Sequence, residues 1–162
     1  MSTDSRALVR EGTPRYLASG DPDLADYYPA WLDNLADDAT VEGSMLDGAV
    51  QGAEAVRTIV VTIRTVYGDS QEFHFTGPCG DDGWLEDYIA RVDDKPLGCV
   101  VLVTRNAAGQ TQHVVASYRP VSTVLYFSRL LREKFAGTPY AKYFHDGSRE
   151  TAGRARSSVR ES

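Results

Sequence analysis

The segment WLEDYIARV, residues 84–92, holds the side chains best suited to chemistry in this chain. In an extended conformation its alternate side chains point to opposite faces. Trp84, Glu86, Tyr88 and Ala90 share one face, and Leu85, Asp87, Ile89 and Arg91 share the other. A carboxyl group among aromatic rings is costly to ionise, so its proton affinity rises toward the range useful for general acid–base work. A tyrosine hydroxyl can hold a substrate oxygen, and an indole ring can stack on a flat ligand. Tyr88 supplies one such hydroxyl, and Tyr118, in HVVASYR, supplies another. His74, between two phenylalanines in EFHFTG, could meet Glu86 from a neighbouring strand. Alternation alone leaves open whether Glu86 or Asp87 faces a cavity. A Glu86 satisfied by Arg64 or by water would be structural, and His74 equally suits an ordinary strand histidine.

Strands are needed to position these groups, and the downstream pattern provides them. QEFHFTG, WLEDYIARV, LGCVVLVTR and QTQHVVASYR are separated by CGDDG, DDKP and NAAGQ. The separators hold Gly, Asp, Asn and Pro, residues that reverse the chain, so an antiparallel meander is expected. Upstream, Asp21-Pro22 is a helix start, and Leu24, Tyr28, Trp31, Leu32 and Leu35 recur at helical spacing. Pro29 interrupts that run, predicting a kink or two short helices. ATVEGSM reads as a strand. A helix over 53–67 follows, with Val56, Ile59, Val60, Ile63 and Tyr67 on one face. Its TIVVTI run is β-branched, but length and period favour helix. A last helix through Val124, Phe127, Leu131 and Phe135 is capped by Ser122 and stopped by Gly137 and Pro139. Helices, one strand, a helix and then a run of strands make an α+β chain.

A length of 162 residues suits one domain. Residues 1–20 form an N-terminal segment whose weak apolar pattern suits a short helix. Residues 21–144 form the domain. Residues 145–162 nearly lack apolar side chains and are expected to be disordered. The net charge of −6 argues against nucleic-acid and anionic-membrane surfaces. Cys79 and Cys99 have no metal or disulfide spacing. No cofactor or metal is expected. No run approaches the roughly 20 apolar residues of a membrane span, so the chain reads as a cytoplasmic protein.

ADDATVE (36–42), QGAEAVRTI at the start of the long helix, FTGP (75–78) and AGQTQHVVASYRP resemble the nuclear transport factor 2-like superfamily. That superfamily includes ketosteroid isomerases, SnoaL-like cyclases, scytalone dehydratase and limonene epoxide hydrolase. The resemblance spans roughly residues 24–136 and implies a curved antiparallel sheet wrapped around helices to form a conical pocket. In the isomerases the residue after the ADDATVE-like segment is the aspartate that moves the proton. Here that residue is Gly43, which leaves room at that wall but no base. The aspartic acid that donates to the oxyanion falls on Val101, so that donor is missing too. Arg91-Val92-Asp93 is similar to half of the epoxide-hydrolase machinery, but the last strand ends Tyr118-Arg119-Pro120 without the second Asp.

The same alignment turns the Trp84 set inward, together with Cys99, Val101 and Val103, and Val114, Ala116 and Tyr118. The expected pocket then takes Trp31 and Leu35 from the first helical stretch and Ile59, Val60 and Ile63 from the long helix. Trp84, Val101, Val114 and Ala116 complete it from the strands. Glu86, with His74, Tyr88 and Tyr118, is the expected catalytic group. Leu85, Ile89, Val100, Leu102 and Val115 fall on the outer sheet face, where the resemblance implies a homodimer. Two functions follow as expectations. One is a SnoaL-like pocket protein for a small apolar or polycyclic molecule, acting as a cofactor-independent isomerase, cyclase or dehydratase. The other is a non-catalytic ligand-binding or dimeric scaffold protein.

Overall fold

The computed structural model describes residues 20–146. The expected N-terminal helix and nearly all of the expected disordered tail lie outside these residues. The strands are β1 (Leu35–Gly43), β2 (Val50–Gln51), β3 (Glu72–Cys79), β4 (Gly83–Val92), β5 (Lys95–Arg105) and β6 (Thr111–Arg119). Helix α1 (Ala53–Tyr67) lies between β2 and β3, and α2 (Val121–Lys134) follows β6.

The sheet order is β2-β1-β6-β5-β4-β3. From β3 to β6 each strand pairs antiparallel with the next, which is the meander the turn residues predict. Strand β1 instead pairs in parallel with β6, with Val41 opposite Val114 and Gly43 opposite Ala116. The sheet is therefore mixed, and it is open, with β2 and β3 as its edges. This corrects the expectation of an antiparallel sheet curled into a cone: the sheet neither closes nor curls strongly, and two helices pack against it. Nothing in the local pattern of β1 could reveal its partner, because the two strands are joined by no turn.

Helix α1 spans the predicted residues. Val56, Ile59, Ile63 and Tyr67 are buried at spacings of three and four, so one face meets the sheet. Burial of that stripe outweighs the strand preference of its β-branched residues. Phe127 of α2 lies edge-on to Tyr67, with ring centroids 5.8 Å apart, and edge-on to Tyr118 at 6.4 Å. These contacts place both helices on one side of the sheet, over a core that includes Val103, Val114 and Leu131. Helix α2 begins directly after Pro120, with no side-chain cap from Ser122.

The first helical stretch is two 3₁₀ turns, Pro22–Leu24 and Ala30–Asp33, on either side of Pro29. Leu35 begins β1 rather than ending a helix. Lys95 and Pro96 belong to β5, and the reversal is carried by Asp93 and Asp94, with Asp93 at φ 53°. Tyr126 of α2 donates a hydrogen bond to the Asp93 carboxylate, so Asp93 serves the turn and not a water-activating pair.

Candidate functional site

A cavity lies between α1 and the sheet. Val60, Ile63, Arg64 and Tyr67 reach it from α1, and Val101, Val114, Ala116 and Tyr118 from the strands. Val41, Gly43, Met45 and Leu46 close one side, and Pro29, Trp31, Gln71 and Phe73 the other. Glu86 and Tyr88 project into it from β4. Its volume is about 40 Å³. Cavities that hold a benzene ring are several times larger, at roughly 150 Å³. A small ligand suits this space as it stands, and a ring system requires a wall to move.

Glu86 is 2% exposed. Its Oε1 accepts two hydrogen bonds, from the Tyr27 hydroxyl at 2.6 Å and the Trp31 indole N–H at 2.7 Å. The Trp84 indole N–H in turn donates to the Tyr27 oxygen at 2.8 Å. No hydrogen bond from a described residue reaches Oε2. One carboxyl oxygen is thus fixed and the other left for a proton or a ligand. Burial raises the Glu86 pKa, because the charged form loses water. The Tyr27 and Trp31 hydrogen bonds and the Arg64 charge oppose that rise without cancelling it.

The donors are held from outside the cavity. The Trp31 carbonyl accepts from the Thr111 hydroxyl at 2.8 Å. Arg57 donates to the Leu32 carbonyl at 2.8 Å and pairs with Asp33 at 3.2 Å. These bonds tie the short segment before β1 to α1 and β6, which fixes the two donors that meet Glu86.

Three hydroxyls converge elsewhere on the wall. Tyr67 and Tyr88 oxygens are 2.6 Å apart, Tyr67 and Tyr118 3.3 Å, and Tyr88 and Tyr118 3.4 Å. Register explains the meeting, since Tyr88 lies opposite Cys99 and Cys99 opposite Tyr118. Burial pushes all three phenols up, so they act as neutral donors. Burial also pushes the Cys99 thiol up to about 12, which leaves it inert as a nucleophile. Two residues along one strand face separate Glu86 from Tyr88, roughly 7 Å of extended chain.

Glu86, Tyr88 and Tyr118 line the cavity, as do Trp31, Val60, Ile63, Val101, Val114 and Ala116. Leu35, Ile59 and Trp84 do not. Ile59 is buried under the sheet, and Trp84 meets the site only through Tyr27. His74 is also outside the lining and makes no hydrogen bond with Glu86. The β3–β4 register shifts between Phe73 and Phe75, and Thr76, not His74, lies opposite Glu86. Asp87 points to the other face, where Arg119 pairs with it at 3.4 Å.

Tyr27 is the partner that the sequence pattern misses. Helical spacing selects Tyr28, but a chain broken at Pro29 does not keep helical phase. Tyr28 is 51% exposed, and Tyr27 turns inward. Tyr67 could have been found, because it ends the apolar stripe of α1 and carries a hydroxyl into the core.

Comparison with known proteins adds fold information. No protein-family model matches the chain, and no curated protein matches it. Among solved structures, a steroid delta-isomerase from Pseudomonas aeruginosa is similar, with TM-score 0.60 and 21% identity, covering 66% of this chain and 78% of that one. A bacterial protein with a cystatin-like fold from Silicibacter pomeroyi is similar at TM-score 0.61 and 18% identity, covering 70% and 79%. The chain shares the cystatin-like fold of these structures, in keeping with the resemblance its sequence carries. Within that fold it carries a small apolar and aromatic pocket suited to a ligand. No described helix is long and apolar enough to cross a membrane.

Proposed function

We propose that this protein binds a small apolar carbonyl compound and moves one of its protons, without a cofactor, as an isomerase, cyclase or dehydratase does. The observation that carries this reading is the buried Glu86, which lines an apolar cavity with Oε1 held by two donors and Oε2 receiving no hydrogen bond from a described residue. The ionised carboxylate takes a proton from the carbon next to the carbonyl. The electron pair moves onto the carbonyl oxygen, and the proton returns to carbon from Glu86. The Tyr67–Tyr88–Tyr118 cluster is the candidate holder of that oxygen; a ligand would replace one of the bonds the three phenols make among themselves. Two proton donors on Oε1 and the nearby Arg64 keep the ionised form accessible, while burial brings its pKa toward working pH.

The test is hydrogen–deuterium exchange of a small acyclic enone, 3-penten-2-one, in D₂O, followed by proton NMR. Exchange that depends on Glu86 supports the reading. Wild-type protein that binds the enone without accelerating exchange favours the non-catalytic ligand-binding alternative, which the apolar cavity also suits.

A homodimer through the outer sheet face is part of the same proposal. Leu102 is 37% exposed there, and Leu85, Ile89, Val100 and Val115 around it are half-buried. Leu102→Glu is expected to convert a dimer to a monomer in multi-angle light scattering. A monomeric wild-type protein at micromolar concentration would sink this part of the proposal.

A further inference from the structure

A second cavity lies on the far side of the Glu86 hydrogen-bond network. Its volume is about 330 Å³, and Tyr27, Tyr28, Ala30, Trp31, Trp84 and Arg105 line it. Four of these six residues are aromatic. Their polar ends are committed elsewhere: the Trp31 N–H to Glu86, the Trp84 N–H to Tyr27, Tyr27 to Glu86 and Tyr28 to Asp33. What remains for a visitor is ring surface, which favours stacking of a flat molecule.

Arg105 ends β5 at this cavity. Its backbone N–H donates to the Asp82 carbonyl, but its guanidinium makes no ion pair or hydrogen bond with a described residue. A half-buried cation with no partner among the described residues, set beside ring faces, is matched by an anion carried on a flat body. The surroundings reinforce that sign. Arg64, which lines the inner cavity, lies 5.8 Å from the ring centroid of Tyr28, one of the residues that line this one. Of the carboxylates bonded to the lining rings, Asp33 is occupied by Arg57 and Tyr28, and Glu86 by Tyr27 and Trp31, while Asp82 adjoins Arg105 through its backbone carbonyl. In a chain of net charge −6, an anion would be drawn here by the Arg105 guanidinium and not by a general attraction.

We infer that this outer alcove is a binding site for a planar aromatic carboxylate, with its ring against the Tyr27–Trp84 wall and its carboxylate on Arg105. The inference goes beyond the Glu86 chemistry and does not depend on it. Trp31 is shared by the two cavities, and Tyr27 bridges the alcove and Glu86, so an alcove ligand would touch the donors that hold the inner carboxyl.

The full-length protein is titrated with naphthalene-2-carboxylate and, separately, with its neutral amide. The two indole N–H signals, from Trp31 and Trp84, are followed by NMR. The carboxylate is expected to shift the Trp84 signal with a dissociation constant below about 1 mM. The amide is expected to bind at least about fivefold more weakly, and Arg105→Gln to weaken the carboxylate to the level of the amide. Arg105→Lys should retain part of the preference. The Trp84 signal reports the alcove and not the inner pocket, because Trp84 lines only the first of the two. Equal binding of amide and carboxylate, an unchanged Arg105→Gln variant, or still indole signals up to about 10 mM ligand would each overturn the inference. Circular dichroism of Arg105→Gln guards against a folding defect, which is not expected because only the backbone of Arg105 is bonded.

Discussion

Glu86→Gln is expected to lose roughly 10²- to 10⁴-fold of any enone proton exchange while remaining folded. Glutamine keeps an oxygen that can accept from Tyr27 and Trp31, so the network around Oε1 survives. It places an amide where Oε2 lies, and an amide cannot take a proton from carbon. The same substitution should also change how stability depends on pH. Burial holds the folded-state pKa of Glu86 above its ordinary value of 4.5. Between 4.5 and that raised value, the folded protein retains a proton that the unfolded chain releases. Stability therefore falls as pH rises through this window, and the full cost of ionising a buried carboxyl is present above it. Glutamine has no such cost. Melting curves at pH 4.5 and pH 8.5 should show the variant gaining on the parent at the higher pH. A variant that exchanges enone protons as fast as the parent would remove Glu86 from the chemistry. A variant that loses ground at pH 8.5 would contradict the burial argument.

Gly43→Asp is expected to cost about 3 kcal/mol or more, a fall of roughly 6–12 °C in melting temperature, and to confer no activity. Resemblance to the isomerases makes this substitution tempting, since it would restore a proton-moving carboxylate. The packing forbids it. A Cβ on Gly43 would sit 2.1 Å from the Ala116 carbonyl oxygen and 2.9 Å from its carbonyl carbon. Those atoms are backbone of β6, held in register with β1, and no rotamer change moves them. The glycine does face the cavity, but it does not leave room for a side chain there as the sequence suggests. Gly43→Ala should show most of the same loss, because the clash begins at Cβ. If alanine proves harmless and only aspartate destabilises, the cause is charge burial and the steric account fails.

How far the sequence could be read depended on how local each signal was. Strand alternation in residues 84–92 puts Glu86 and Tyr88 on one face, the family alignment turns that face inward, and the stripe from Val56 to Tyr67 defines α1. Both patterns repeat within a few residues. The pairing of β1 with β6 has no such local trace, and the error of an all-antiparallel, cone-shaped sheet followed from it. The Tyr27 contact was lost for a related reason: extrapolating helical phase across Pro29 assumes a continuity that the 3₁₀ turns do not have. His74 is not a partner because the β3–β4 register sets Thr76 opposite Glu86, two residues further along β3.

The parallel seam between β1 and β6 also sets an order of events during synthesis. Thr40 and His113, joined at 2.7 Å across it, are 73 residues apart in the chain. Strand β1 leaves the ribosome long before its central partner exists, and a chain growing at about 5–20 residues per second must wait several seconds for β6. Until then β1 can pair only with the two-residue β2. The meander can assemble from neighbours as it emerges, but the cavity wall formed by Val41 and Gly43 is completed last. The ligand pocket is thus a late product of folding, and an interrupted chain ending before residue 111 would carry Glu86 on its strand with no closed site around it.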